Sequence, residues 1–105
     1  MSKQITFEYE KKTYTLEYNL KAAGNANAEG FVLDDLSDKP AQMVPILVYW
    51  AFAKHHKGIT RRQTEAIYEW ITDKSGFLTA LAGMYADAVN ALVDDETGNA
   101  NWTVT

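Results

Sequence analysis

Eleven consecutive residues in the middle of the chain, 43–53 (MVPILVYWAFA), carry no charge, and they constrain the fold more than any other feature. They include Val44, Ile46, Leu47, Val48, Tyr49, Trp50 and Phe52. The run falls well short of the roughly 20 apolar residues that span a bilayer, so it reads as a buried core helix and no membrane partner is expected. A helix apolar on every side has to be covered on every side, by the rest of the chain or by another protein. With 105 residues the chain has length for one domain. Whether so small a domain covers both Tyr49 and Trp50 separates two readings: complete burial, or an exposed apolar patch that serves interaction.

Residues 4–18 give the clearest local pattern. Ile5, Phe7 and Tyr9 alternate with Thr6 and Glu8, and Tyr14, Leu16 and Tyr18 alternate with Thr13, Thr15 and Glu17. Period-two alternation of aromatic and β-branched residues marks half-buried strands. Folding the strands about Lys11 and Lys12 sets Tyr9 opposite Tyr14, Phe7 opposite Leu16 and Ile5 opposite Tyr18, which gathers all six apolar side chains on one face. The turn has no Asn-Gly or Asp-Gly, so a four-residue loop is equally open. An isolated hairpin is marginal in water; this one is expected to pack on helices or to pair its edge with another chain.

The rest reads as helix. Residues 20–29 are rich in alanine but weakened by Gly24, Asn25 and Asn27, with Gly30 as the left-handed stop. Phe31, Val32, Leu33 and Leu36 follow as core anchors. The apolar helix covers about 38–56, capped by Ser37 or Asp38, with Pro40 in its first turn. Pro45 either kinks this helix or marks where it becomes regular. Thr60 caps a helix over 61–72, with Ile67, Trp70 and Ile71 inward and Glu65 and Glu69 outward. Ser75 opens a last helix over 75–93, where Phe77, Leu78, Leu81, Ala82, Tyr85, Ala88, Val89, Leu92 and Val93 follow helical spacing. The fold class expected is α+β, mainly helical: an N-terminal β-hairpin at about 4–18 packed on a bundle of three to four helices. A single domain, 1–93, is followed by a polar, flexible tail, 94–105, in which Trp102 is the one docking residue.

Composition and spacing remove several functions. A net charge of −4 and scattered basic residues argue against a nucleic-acid partner, which calls for cations on phosphates. The absence of cysteine excludes disulfides, thiolate nucleophiles and Cys-based zinc sites. MSKQITFEYE lacks the apolar stretch of a signal peptide, so a cytoplasmic protein is expected. His55 and His56, adjacent on a helix, point about 100° apart. With no acidic residue within a turn, and with Lys54 and Lys57 beside them, they read as a solvated helix end suited to the helix dipole. The carboxylates Asp34-Asp35 and Asp94-Asp95-Glu96 fall in polar, turn-like stretches, and the second group lacks the alternating ligands of an EF-hand. Ser37 and Ser75 fit caps better than nucleophile elbows, and the six glycines are dispersed. The expectation is a non-enzyme without catalytic residues, cofactor or metal.

The order of elements has a counterpart. The strand pair ITFEYEKKTYTLEY, the phrase GFVLDDLSDKP, the apolar helix ending AFAKHHKG, the stretch EAIYEWITDKSGFLTALAGMYADAVNALVDD and the tail GNANW follow one another. Together they resemble the small tail assembly chaperones of siphophages and prophages of Gram-positive bacteria. The likeness covers nearly the whole chain and is weakest over KAAGNANAEG. It implies a non-enzymatic role in the cytoplasm of the bacterial host. Such a chaperone coats the long helical tape measure protein, keeps it soluble, recruits the major tail (tube) protein, and is absent from the mature virion. In many such phages a frameshift yields a longer form, of which this chain would be the short one. On this reading Val44, Leu47, Tyr49, Trp50 and Phe52 are the partner-binding candidates and include both core and groove residues. The binding mode is an amphipathic helix laid in an apolar groove, and the hairpin edge is a candidate for self-association. Two rivals remain: a structural tail component joined through the hairpin, and a small acidic protein that regulates or inhibits a partner through Asp34, Asp35, Asp38, Asp87, Asp94, Asp95 and Glu96.

Overall fold

The alternation in residues 4–18 becomes two antiparallel strands, β1 (Ile5–Tyr9) and β2 (Lys12–Leu16), in a computed structural model that describes residues 3–93 and 100–104. Ile5 pairs with Leu16, Phe7 with Tyr14 and Tyr9 with Lys12. This register differs by two residues from a fold about Lys11 and Lys12. The loop is Glu10 and Lys11 alone, and both take left-handed backbone with φ of 50° and 66°, as a type I′ turn requires. A shift of two leaves each side chain on its original face. Ile5, Phe7, Tyr9, Tyr14 and Leu16 therefore still face the helices. Tyr18 lies outside the pairing and enters the core, where its hydroxyl donates to the Leu47 carbonyl at 2.6 Å. Burial, and to a lesser degree Tyr85, raises its pKa, so it stays a neutral donor.

Helix α1 (Leu20–Ala28) begins at Asn19, whose side-chain oxygen accepts the Ala22 N–H at 2.8 Å. It buries Ala22, Ala23 and Ala26. A 3₁₀ turn at Leu33–Asp35 leads into α2 (Pro40–Ala53). Ser37 and Asp38 do not cap α2. The Lys39 N–H closes on the Asp35 carbonyl at 2.7 Å, which ties 37 and 38 into the preceding turn and leaves Lys39 as an N-cap without a side-chain bond. Pro40 takes the first helical position, and the helix continues through Pro45. Of the anchors in 31–36, Phe31 is fully buried and Leu36 packs at the core margin, while Val32 and Leu33 are exposed.

Helix α3 (Arg61–Trp70) opens with a capping box between Thr60 and Gln63. Helix α4 (Lys74–Asn90) is capped by Asp73 rather than Ser75, its carboxylate accepting the Gly76 N–H at 3.2 Å. Thr64 and Ile67 are buried on α3, and Leu81, Met84 and Tyr85 on α4. Trp70, expected inward, is 51 % exposed. As the last residue of α3 it lies against Tyr9 (5.0 Å between ring centres) and Phe7 (6.0 Å) and turns its other side outward. Leu92 and Val93 fall beyond the end of α4 and are exposed, and so is Trp102, which does not dock. Residues 94–99 and 105, and with them Asp94, Asp95, Glu96 and most of the polar tail, lie outside the described residues.

The architecture is thus α+β and mainly helical, with the hairpin first. Its centre is α2, which packs on β2, α1, the 3₁₀ turn, α3 and α4. Its buried side chains are Met43, Leu47, Val48, Ala51 and Phe52. Elements on several sides share its circumference, which is why an all-round apolar helix can sit in so small a domain.

The hairpin is fastened to the C-terminal end of α2 by polar bonds. Glu17 is 3 % exposed. Its Oε1 accepts from Lys54 Nζ at 2.8 Å and Gln4 Nε2 at 2.9 Å, and His55 Nε2 lies 2.8 Å from the same oxygen. The Glu17 N–H donates to the Ala51 carbonyl at 3.0 Å, and the Thr15 N–H donates to His56 Nε2 at 3.0 Å. A buried carboxylate is tolerated only with such partners. The chain leaves α2 after Ala53, before residue 56, and 54–56 turn toward β2. His55 and His56 are therefore ties between a strand and a helix end, although His55 stays exposed and His56 is half-buried.

This arrangement makes stability depend on pH. Burial, followed by the neighbouring Lys12 and His55, holds the His56 pKa below its ordinary value. The Thr15 bond, moreover, is available only to an unprotonated Nε2. The unfolded chain then takes up this proton first, so the contribution is complete above about pH 6.5 and is lost as pH falls through the lower folded value. The melting temperature is expected to drop as pH falls below about 6.5. His56→Gln, whose side-chain oxygen accepts without titrating, should flatten that drop. An unchanged pH profile in the variant would assign the effect to another group. Glu29, whose pKa is lowered first by its hydrogen bond from Arg61, acts only in the carboxylate range below.

Candidate functional site

Between α2 and α3 the surface opens into a groove of about 540 Å³. On the α2 side it is lined by Pro40, Ala41, Val44, Pro45 and Val48, and on the α3 side by Thr64, Glu65, Tyr68 and Glu69. Repeats of three and four residues place each set on one face of its helix. The α2 set is wholly apolar, and its alanine and prolines are short, so α3 cannot close the gap above them. At the bottom Val48 is 2 % and Thr64 1 % exposed. The Thr64 hydroxyl is occupied, donating to the Arg61 carbonyl at 2.9 Å, which leaves an apolar floor.

The charged groups of the groove are both carboxylates. Glu65 and Glu69, one turn apart on α3, form its exposed rim. Pro45 has no amide hydrogen, so it cannot donate to the Ala41 carbonyl one turn before it. Partial burial raises the Tyr68 pKa, so that side chain is neutral. Lys74 lies 5.5 Å from the Tyr68 ring centre, but its ammonium hydrogens go to the carbonyls of Glu69 (3.0 Å) and Ile71 (2.8 Å), closing the end of α3.

The five candidate residues separate into three groups. Val44 lies in the groove. Leu47 and Phe52 are 0 % exposed and offer no surface to a partner. Phe52 meets Tyr14 at 5.8 Å and Phe7 at 6.2 Å, both edge to face. Tyr49 and Trp50 are half-buried and belong to a clamp joining three helices. The Arg61 guanidinium lies 4.0 Å over the Tyr49 ring and pairs with Glu29, and Trp50 Nε1 donates to Glu29 at 3.1 Å. The sequence implies that these five include both core and groove residues but not which is which. The groove-facing part of the apolar run is Val44, Pro45 and Val48, continued by Pro40 and Ala41 ahead of the run, and the facing carboxylates Glu65 and Glu69 lie outward, as their spacing predicts.

Residues 1–105, the entire chain, match the family described as Domain of unknown function (DUF5055). The chain belongs to this family. No curated protein and no solved structure matches it. In this DUF5055 domain the chemistry of the surface has to carry the functional reading. Among the described residues no cluster of three or more His, Cys, Asp or Glu side chains could hold a metal ion, and no helix is long and apolar enough to cross a membrane.

One further feature is backbone. With Tyr9 and Lys12 closing the two-residue loop, Phe7–Tyr14 and Ile5–Leu16 are the hydrogen-bonded pairs. Thr6 and Glu8 then direct their N–H and C=O groups away from β2. The free side of β2 is occupied by the Thr15 and Glu17 bonds to 51–56, whereas that of β1 has no such cover among the described residues. Such an edge is a template for pairing with another strand.

Proposed function

We propose that this chain is a non-enzymatic tail assembly chaperone of a bacterial virus. It covers apolar stripes of the tape measure protein, keeps that protein soluble, and recruits tail tube subunits that later displace it. It acts in the host cytoplasm and is left out of the finished particle. The observation that supports this reading most is the α2/α3 groove: an apolar floor two helical turns long, built from the helix whose apolar character exceeds what the core consumes. An amphipathic helix laid in such a groove is a recurrent recognition mode. The groove is shallow and open, which suits binding that assembly must reverse.

Co-expression with the tape measure protein of the same genome tests the proposal. The tape measure should move from the pellet to the soluble fraction when the chain is present and co-purify with it, and the chain should be missing from purified virions. A tape measure that stays insoluble, with the chain inside the particle, would support the rival in which copies join through the free β1 edge as a structural tail component.

A further inference from the structure

Resting on the chaperone reading, the geometry points to a charge code for the groove: its occupant is an amphipathic helix whose apolar stripe is flanked by lysines or arginines one turn apart, paired with Glu65 and Glu69. The floor from Pro40 to Val48 is about 12 Å long at 1.5 Å per residue, the length of two helical turns. It therefore accepts anchors at i, i+3 or i+4, and i+7 of a docking helix. Glu65 and Glu69 repeat at the same one-turn interval beside it. Neither carboxylate takes part in an ion pair among the described residues. No basic side chain lines the groove. Lys74, the cation held over Tyr68, is committed to two carbonyls. An apolar trough whose charged lining groups are both carboxylates attracts a helix edged by cations and rejects one edged by carboxylates, since like charges brought together at an interface are strongly unfavourable.

The test uses the full chain and two synthetic helical peptides with the same leucine stripe, one flanked by lysines and the other by glutamates, measured by calorimetry at low and high salt. The lysine peptide should bind at least about tenfold tighter, with the difference shrinking as salt screens the rim. Glu65→Lys/Glu69→Lys should reverse the order. Asp34→Lys/Asp87→Lys, which changes the net charge equally but away from the groove, should keep it. Equal binding of both peptides would overturn the charge code and leave the apolar groove standing. A reversal by the Asp34 and Asp87 changes as well would reduce the effect to net charge and overturn it. Failure of both peptides to bind would overturn the groove reading itself.

Discussion

Phe52→Ala is expected to lower the unfolding free energy by about 3–5 kcal/mol. A domain of this size is held by only about 5–15 kcal/mol, so the variant should be close to unfolding at ordinary temperature. Phe52 is fully buried, and its ring holds the hairpin face to α2 through edge contacts with Phe7 and Tyr14. Truncation leaves a cavity where strand and helix layers meet, and neither layer can move in without breaking the ties at Glu17 and His56. Two positions away, Trp50→Ala should cost far less, about 1–2 kcal/mol. It removes an exposed hydrogen bond to Glu29 and part of the stacking with Arg61, both in contact with water. Denaturant unfolding of the two variants checks the contrast. Equal losses would mean that the division of the apolar run into core and clamp is wrong.

Glu17→Ala is expected to cost about 2–3 kcal/mol. Removing one partner of a buried ion pair usually costs about 3–5 kcal/mol because a charge is left stranded. Here the removed group is the buried one. Lys54 and His55 keep about a quarter to a third of their side-chain surface in water and can rehydrate, which places the loss below that range. The loss should also be local. Hydrogen exchange should speed up over β1 and β2, whose attachment to the end of α2 runs through Glu17, and change little over α3 and α4. A uniform change across the chain, or a loss under about 0.5 kcal/mol, would show that the Glu17 bonds do not hold the hairpin in place.

The elements were legible where local chemistry decides them. Alternation fixed the buried face of the hairpin even though the register was off by two, because face depends only on parity. The register itself was hidden because Glu10 and Lys11, neither of them glycine nor asparagine, adopt the left-handed turn. Thr60 caps α3 as its residue type predicts, and Gln63 completes the capping box. Ser37, Asp38 and Ser75 were equally good cap residues by type, and only the path of the chain before each helix excluded them. What sequence could not resolve is non-local. Glu17 meets Lys54 and His55 across more than thirty residues, so the two histidines looked solvated. An all-apolar run has no polar side to mark its orientation, so Leu47 and Phe52 in the core were indistinguishable from Val44 in the groove and Trp50 in the clamp.

The most direct test of the groove as the docking surface is the affinity of Val44→Lys for the tape measure protein, measured beside wild type. Val44 is half-buried at the groove wall, and a lysine there can extend its ammonium to water, so the fold and its melting temperature should change little. The account predicts that the variant binds at least about tenfold more weakly, because the apolar floor is interrupted and a cation meets the cationic flank of the occupant. Binding at wild-type strength by a folded Val44→Lys chain would contradict it and move the docking surface away from the α2/α3 groove.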